Sequence, residues 1–152
     1  MYKRVLVPLD GSELAECTLS HLKSLCKHDS VGEVTLLNIV KFDIPRAVVY
    51  DEKPIDINEL KKPLVAASKK YLTKVASQLK RQGIKVKTES IDADSPADTI
   101  TDYALKNGMD LIIMATHGHT GFKRLLLGSV ASGVLNLSHV PVLLIRPEAC
   151  RL

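Results

Sequence analysis

Tryptophan is absent from this chain, and four Tyr and two Phe are its only aromatics. A nucleic-acid binder needs stacking groups or a recognisable module, so a net charge of +4 does not by itself make one. The positive charge collects at Lys61, Lys62, Lys69, Lys70, Lys74, Lys80 and Arg81, in one segment of helical periodicity. That pattern reads as a solvated helix face, and no nucleic-acid partner is expected. Cysteine is scarce as well. Cys17, Cys26 and Cys150 are odd in number and form no CxxC pair, which argues against a disulfide framework and predicts reduced thiols. The opening MYKRVLVPLDGS enters a strand directly and has no signal-peptide h-region, which predicts a cytoplasmic protein. Leu125 to Ile145 carries no Asp, Glu, Lys or Arg and is long enough to span a bilayer. Gly128, Ser129, Ser132, Gly133, Asn136, Ser138, His139 and Pro141 interrupt it, however, and Pro141 breaks any helix there. A helix followed by a buried strand fits better, with no membrane partner.

The 152 residues are 45% hydrophobic and 25% charged, ordinary values for a globular protein, and 1–152 reads as one domain. Strands are expected at Lys3–Leu9, Glu33–Val40, Ile84–Ile91, Asp110–Ala115 and Pro141–Arg146. Between them lie helical patterns. Leu14, Cys17, Thr18, His21, Leu22 and Leu25 mark the first, with Ser12 placed to cap it. Leu60, Leu64, Ala67, Tyr71, Val75 and Leu79 mark a second, stopped by Gly83. Ser95 caps a third, with Pro96 in its first turn and Gly108 at its end. Ser129–Ser138 is the fourth. From Lys41 to Ile57 the pattern breaks, with Pro45, Pro54 and charges of both signs. That stretch is longer than an ordinary connection and reads as an insertion over the site, in the manner of a lid. Strict alternation of strand and helix, with strands apolar on both faces, predicts a doubly wound α/β fold: a five-stranded parallel sheet with helices on both faces.

In such a sheet the ligand binds beyond the carboxyl ends of the strands, where the strand order reverses. Pro8-Leu9-Asp10, Asn38-Ile39-Val40 and Ala115–Ser129 should converge there. Asp10 is the only carboxylate of that set. It serves either to accept from ribose hydroxyls or a metal, or to form the turn and cap the helix. Met114–Pro147 carries the strongest signal. Nine residues lie between Gly118 and Gly128, Ser129 follows at once, and a helix is expected to begin there. Small residues admit a close ligand, and a helix N-terminus offers N–H groups and a positive dipole end to an anion, typically phosphate.

These residues resemble the universal stress protein family, specifically its ATP-binding branch, from VLVPLDGS to PVLLIR. The family's nucleotide motif is Gly, two residues, Gly, nine residues, then Gly-Ser or Gly-Thr. Ala115, Gly118, Gly128 and Ser129 take those positions, Ala115 in place of glycine, and Gly121 is an additional glycine within the loop. The resemblance implies a Rossmann-like fold, similar to that of the adenine nucleotide alpha hydrolases. It implies that Pro8, Asp10 and Ile39 frame adenine and ribose, with Met114 and Ala115 beside the ribose and first phosphate. Gly118, Gly128, Ser129 and Val130 then meet the phosphates of ATP, with Mg²⁺ entering alongside, and Leu9 and His117 complete the cofactor-binding set. A homodimer through the last strand, 141–146, is implied as well; its apolar residues would otherwise form an exposed edge.

Other features are weaker. Lys123 and Arg124 either touch phosphate or point to solvent. His117 and His119 form an HxH pair that no Cys or nearby carboxylate completes, so no protein-built metal site is expected. There is no Walker A lysine and no defensible Ser-His-Asp order, so no catalytic residue is assigned and any ATP hydrolysis should be slow. The leading reading is an ATP-dependent regulatory or signalling module in stress response, with an unknown protein partner. The alternative is a nucleotide-independent dimeric interaction module of the same family. A third, an adenylating enzyme, is disfavoured because PLDGSE lacks the paired glycines of SGGxDS after the first strand.

Overall fold

The computed structural model describes residues 1–28, 30–43, 56–117 and 127–146. Residues 44–55 of the expected insertion, together with Gly118, His119, Gly121, Lys123, Arg124 and Cys150, lie outside the described residues. The elements run β1 (Tyr2–Pro8), α1 (Glu13–Glu16), α2 (Thr18–Cys26), β2 (Val31–Val40), α3 (Ile57–Lys80), β3 (Val86–Asp92), α4 (Pro96–Lys106), β4 (Leu111–Ala115), α5 (Ser129–Leu137) and β5 (Val142–Ile145). The strands form one sheet in the order β3-β2-β1-β4-β5, every pair parallel.

Alternation along each strand divides the core in two. Val5, Val7, Val34, Leu36, Leu111 and Ile113 face α1, α2 and α3 through Ala15, Leu19, Leu22, Leu72, Val75 and Leu79. Leu6, Leu37, Ile112 and Met114 face α4 and α5 through Ile100, Ala104, Ala131 and Val134. This division follows from handedness. Steps β1→β2→β3 move one way across the sheet and β3→β4→β5 the other, so right-handed crossovers place their helices on opposite faces. At the amino end, Asp110 Oδ2 accepts from the amides of Lys3 and Arg4 at 2.7 and 2.8 Å, tying the start of β1 to the strand that follows α4.

Several boundaries depart from expectation. The first helix is divided at Cys17, where the Thr18 hydroxyl donates to the Ala15 carbonyl at 2.8 Å and competes with the backbone ladder. Ser95 begins α4, but its hydroxyl donates to the Asp98 carboxylate instead of accepting from the helix. Leu60 and Leu64 belong to the expected apolar stripe of α3 yet are 40% and 42% exposed; burial starts at Ser68. At 24 residues α3 is about 36 Å long, whereas the seven-residue β3 spans about 23 Å, so the helix outruns the strand it covers. Cys17 is disulfide-bonded, contrary to the expectation of reduced thiols, while Cys26 is a free thiol whose pKa burial raises. The fold brings the Cys17 Sγ to 4.0 Å from the Arg146 carbonyl, a proximity that sequence spacing cannot show. Among the described residues, no helix is long and apolar enough to cross a membrane.

Candidate functional site

The strand order reverses at β1, whose neighbours β2 and β4 continue in opposite directions along the chain. A cavity of about 420 Å³ opens at the carboxyl ends of these strands. Pro8, Leu9 and Asp10 line it from the exit of β1, Leu37, Ile39 and Lys41 from β2, and Met114, Ala115, Thr116 and His117 from β4. Gly128, Ser129, Val130 and Ala131 close it at the start of α5, with Ala15 on one side of the sheet and Pro96 and Ile100 on the other. Ten of the residues expected at a site therefore share one cavity wall; Gly118 lies outside the described residues.

The turn after β1 is locked by its own side chains. Leu9 donates its amide to the Leu37 carbonyl at 2.8 Å, and its carbonyl accepts from Asn38 Nδ2 at 2.6 Å. Asp10 Oδ1 accepts from the Ser12 amide at 2.9 Å and the Ser12 hydroxyl at 2.6 Å. The Ser12 oxygen in turn accepts from the Ala15 amide at 3.1 Å and caps α1. Gly11, at φ +86°, makes this reversal without the cost that a Cβ would bring. Asp10 thus performs its turn role through one oxygen while lining the cavity.

The start of α5 is built differently. Gly128 is the N-cap and no side chain caps the helix. Its own amide is engaged, donating to the Thr116 carbonyl at 2.8 Å. A Cβ at Gly128 would stand 3.0 Å from that carbonyl, a tight contact that glycine avoids. Ser132 N–H bonds to the Gly128 carbonyl, which leaves the amides of Ser129, Val130 and Ala131 without an intrahelical acceptor. Amides so placed at a helix start can serve an anion, and the Ser129 hydroxyl is a further donor.

Charge in the wall is sparse. Asp10 and Lys41 are its formal charges among the described residues, and Lys41 Nζ stands 3.6 Å from Asp43. His117 Nδ1 and the Thr116 hydroxyl lie 2.9 Å apart. Burial, then the Glu16 and Asp10 carboxylates, raise the Tyr71 phenol above its ordinary pKa. No three His, Cys, Asp or Glu side chains gather as a metal set among the described residues. A Mg²⁺ ion would fit here as a companion of phosphates, with Asp10 the carboxylate of the described cavity wall; Mg²⁺ commonly binds in that way.

Thr116 falls within the segment expected to converge on the site, whereas sequence reasoning missed Ala15, Leu37, Lys41, Pro96, Ile100 and Ala131. The handedness rule carried the signal for Pro96 and Ile100, since it puts α4 on the face that α5 shares.

A family model described as the universal stress protein family matches residues 1–146. The chain is 35% identical to the universal stress protein MJ0577 of Methanocaldococcus jannaschii, over 96% of each chain. The solved structure of a protein of that designation superposes with a TM-score of 0.81, at 36% identity and covering 96% of both chains. Two more distant structures share the fold. A universal stress protein in complex with cAMP gives a TM-score of 0.65 at 18% identity, covering 96% of this chain and 98% of the other. An Arabidopsis thaliana family protein with AMP bound gives 0.67 at 15% identity, covering 95% and 91%.

Proposed function

Because the chain belongs to the universal stress protein family, we propose that its cavity binds an adenine nucleotide, ATP carrying Mg²⁺, and that occupancy regulates a protein partner. The observation that carries this reading is the meeting of two unlike surfaces in one cavity. Leu37, Ile39, Pro96, Ile100 and Met114 offer an apolar wall suited to a base, and the uncapped start of α5 offers amides suited to phosphate. Asp10 stands between them as an acceptor for ribose hydroxyls. Relatives of the same fold that hold cAMP and AMP support adenine as the base.

The described wall holds one imidazole, His117, 2.9 Å from the Thr116 hydroxyl, and no residue is assigned to activate a water, so turnover of ATP is expected to be slow. We further propose that the chain pairs as a homodimer along β5. Among the described residues that strand pairs with β4 alone and leaves Leu143 37% exposed.

Calorimetric titration of ATP with Mg²⁺ into nucleotide-stripped protein, beside Gly128→Val, tests the reading. Micromolar binding by the wild type, lost in the variant, supports it. No binding by folded wild-type protein overturns it and leaves the nucleotide-independent interaction module.

A further inference from the structure

Asn38 connects the cavity wall to α3 and β3 through a directed chain of hydrogen bonds. Asn38 Nδ2 donates to the Leu9 carbonyl at 2.6 Å. Asn38 Oδ1 accepts from the Ser68 hydroxyl at 2.7 Å, and the Ser68 and Ser90 hydroxyl oxygens are 2.7 Å apart. The donor directions are settled by chemistry. A carbonyl oxygen only accepts, so the amide nitrogen of Asn38 must face Leu9 and its oxygen must face Ser68. Ser68 has one hydroxyl hydrogen and gives it to Asn38, so Ser90 donates to Ser68. Ser68 is buried, at 8% exposure, and a hydrogen-bond chain in such surroundings is costly to break in the middle.

The end of this chain is the Leu9–Asp10 peptide, which is trans and planar. Both polar groups of Leu9 are held by β2, its amide by the Leu37 carbonyl and its carbonyl by Asn38. Fixing that plane fixes the position of the Asp10 Cα, and the bonds from Ser12 to Oδ1 then orient its carboxylate. From Asp10 the order continues through Ser12 to the cap of α1, whose Ala15 also lines the cavity.

We propose that Asn38 is a positioning residue for the nucleotide: through the Leu9 carbonyl it sets the place at which Asp10 meets the ligand. This inference rests on the nucleotide reading of the cavity. The relevant energy is that of one buried hydrogen bond, and the effect should pass chiefly through Asp10.

The test is a double-mutant cycle of Asn38→Ala with Asp10→Ala, read by calorimetric titration with ATP and Mg²⁺ and with AMP. Asn38→Ala should weaken binding about tenfold in the wild-type background and less than about twofold in the Asp10→Ala background. A merely structural role would lower the melting temperature of Asn38→Ala and leave the affinity of its folded fraction unchanged. Ser68→Ala, which keeps the bond to Leu9 but frees Asn38 Oδ1, is the gentler variant should Asn38→Ala not fold. It should weaken binding about twofold to threefold, and only while Asp10 is present. Unchanged affinity in a folded variant, or equal losses in both backgrounds, overturns the inference while the nucleotide reading stands. Failure of the wild-type protein to bind either nucleotide overturns both.

Discussion

The amide of Gly128 donates to the carbonyl oxygen of Thr116 at 2.8 Å, so the two ends of the segment between them are held together at the mouth of the cavity. The bond also aims α5, because the residue that makes it is the residue that starts the helix. Gly128→Val should therefore do more than narrow the cavity. Its side chain collides with the Thr116 carbonyl, separates β4 from α5 and reduces nucleotide affinity by at least about a hundredfold, a scale of a few kcal/mol. Gly128→Ala should be intermediate, since the contact is 3.0 Å and a few tenths of an ångström relieve it. Titration of both variants, with circular dichroism to confirm folding, decides the matter.

Ala115 occupies the first glycine position of the family motif and is 7% exposed at the end of β4. Ala115→Gly should leave ATP affinity equal to or tighter than wild type. Glycine in a strand loses more backbone freedom on folding, so stability should fall by about 0.5–1 kcal/mol. Opposite signs in titration and in chemical denaturation are the expected outcome; a weaker affinity would show that the Ala115 methyl group itself contacts the ligand.

Tyr71 supplies a pH prediction. Its folded pKa is raised, by burial first and then by Glu16 and Asp10. A raised pKa contributes stability that is fully present below the unfolded value, near 10 for Tyr, and is lost as pH rises through the folded value. The wild type should therefore lose stability from about pH 10 upward, and Tyr71→Phe should flatten that decline. Tyr103 is also raised, by burial and then by Glu89 and Glu33, so some alkaline loss persists in the variant. Denaturation midpoints between neutral and alkaline pH check this, and identical slopes for the two proteins would refute it.

Asp110 lies at the end of the sheet remote from the cavity. Asp110→Ala leaves the amides of Lys3 and Arg4 without their acceptor. The expected cost is about 1–3 kcal/mol of stability, with nucleotide affinity unchanged. A fall in affinity equal to that of the site variants would mean that the two ends of the sheet are coupled.

Along β5, Val142→Asp should convert the proposed dimer to a monomer by light scattering. Val142 pairs with Ile112 in the sheet, so the variant must first be shown to fold. A mass that does not change on substitution argues against pairing through this edge.

The sheet was legible because its strands are short apolar runs separated by capped helices, and the strand boundaries fell within about two residues of expectation, as is normal at element ends. The Gly128–Ser129 side of the cavity was legible for the same reason: glycine, serine and a helix start lie together in sequence there. The other wall was not. Pro96 and Ile100 reach the cavity because α4 crosses the sheet, and Lys41 reaches it because β2 runs to Val40. The exposure of Leu60 and Leu64 escaped notice because periodicity identifies a face of a helix but not whether anything lies beneath it. The bonded state of Cys17 is a matter of tertiary structure, which no local pattern encodes.

The place of β1 in the middle of the sheet has a consequence for the nascent chain. Its partner on one side, β2, follows almost at once, but the Asp110 that receives the Lys3 and Arg4 amides is 107 and 106 positions further on. At about 5–20 residues per second, translation takes roughly 5–20 s to deliver it. During that interval the strand made first shows an open edge, with Val5 and Leu6 waiting for Leu111 and Ile112. The interior of the finished protein is thus, for most of its synthesis, a sticky margin that a chaperone would cover and that mispairing would exploit.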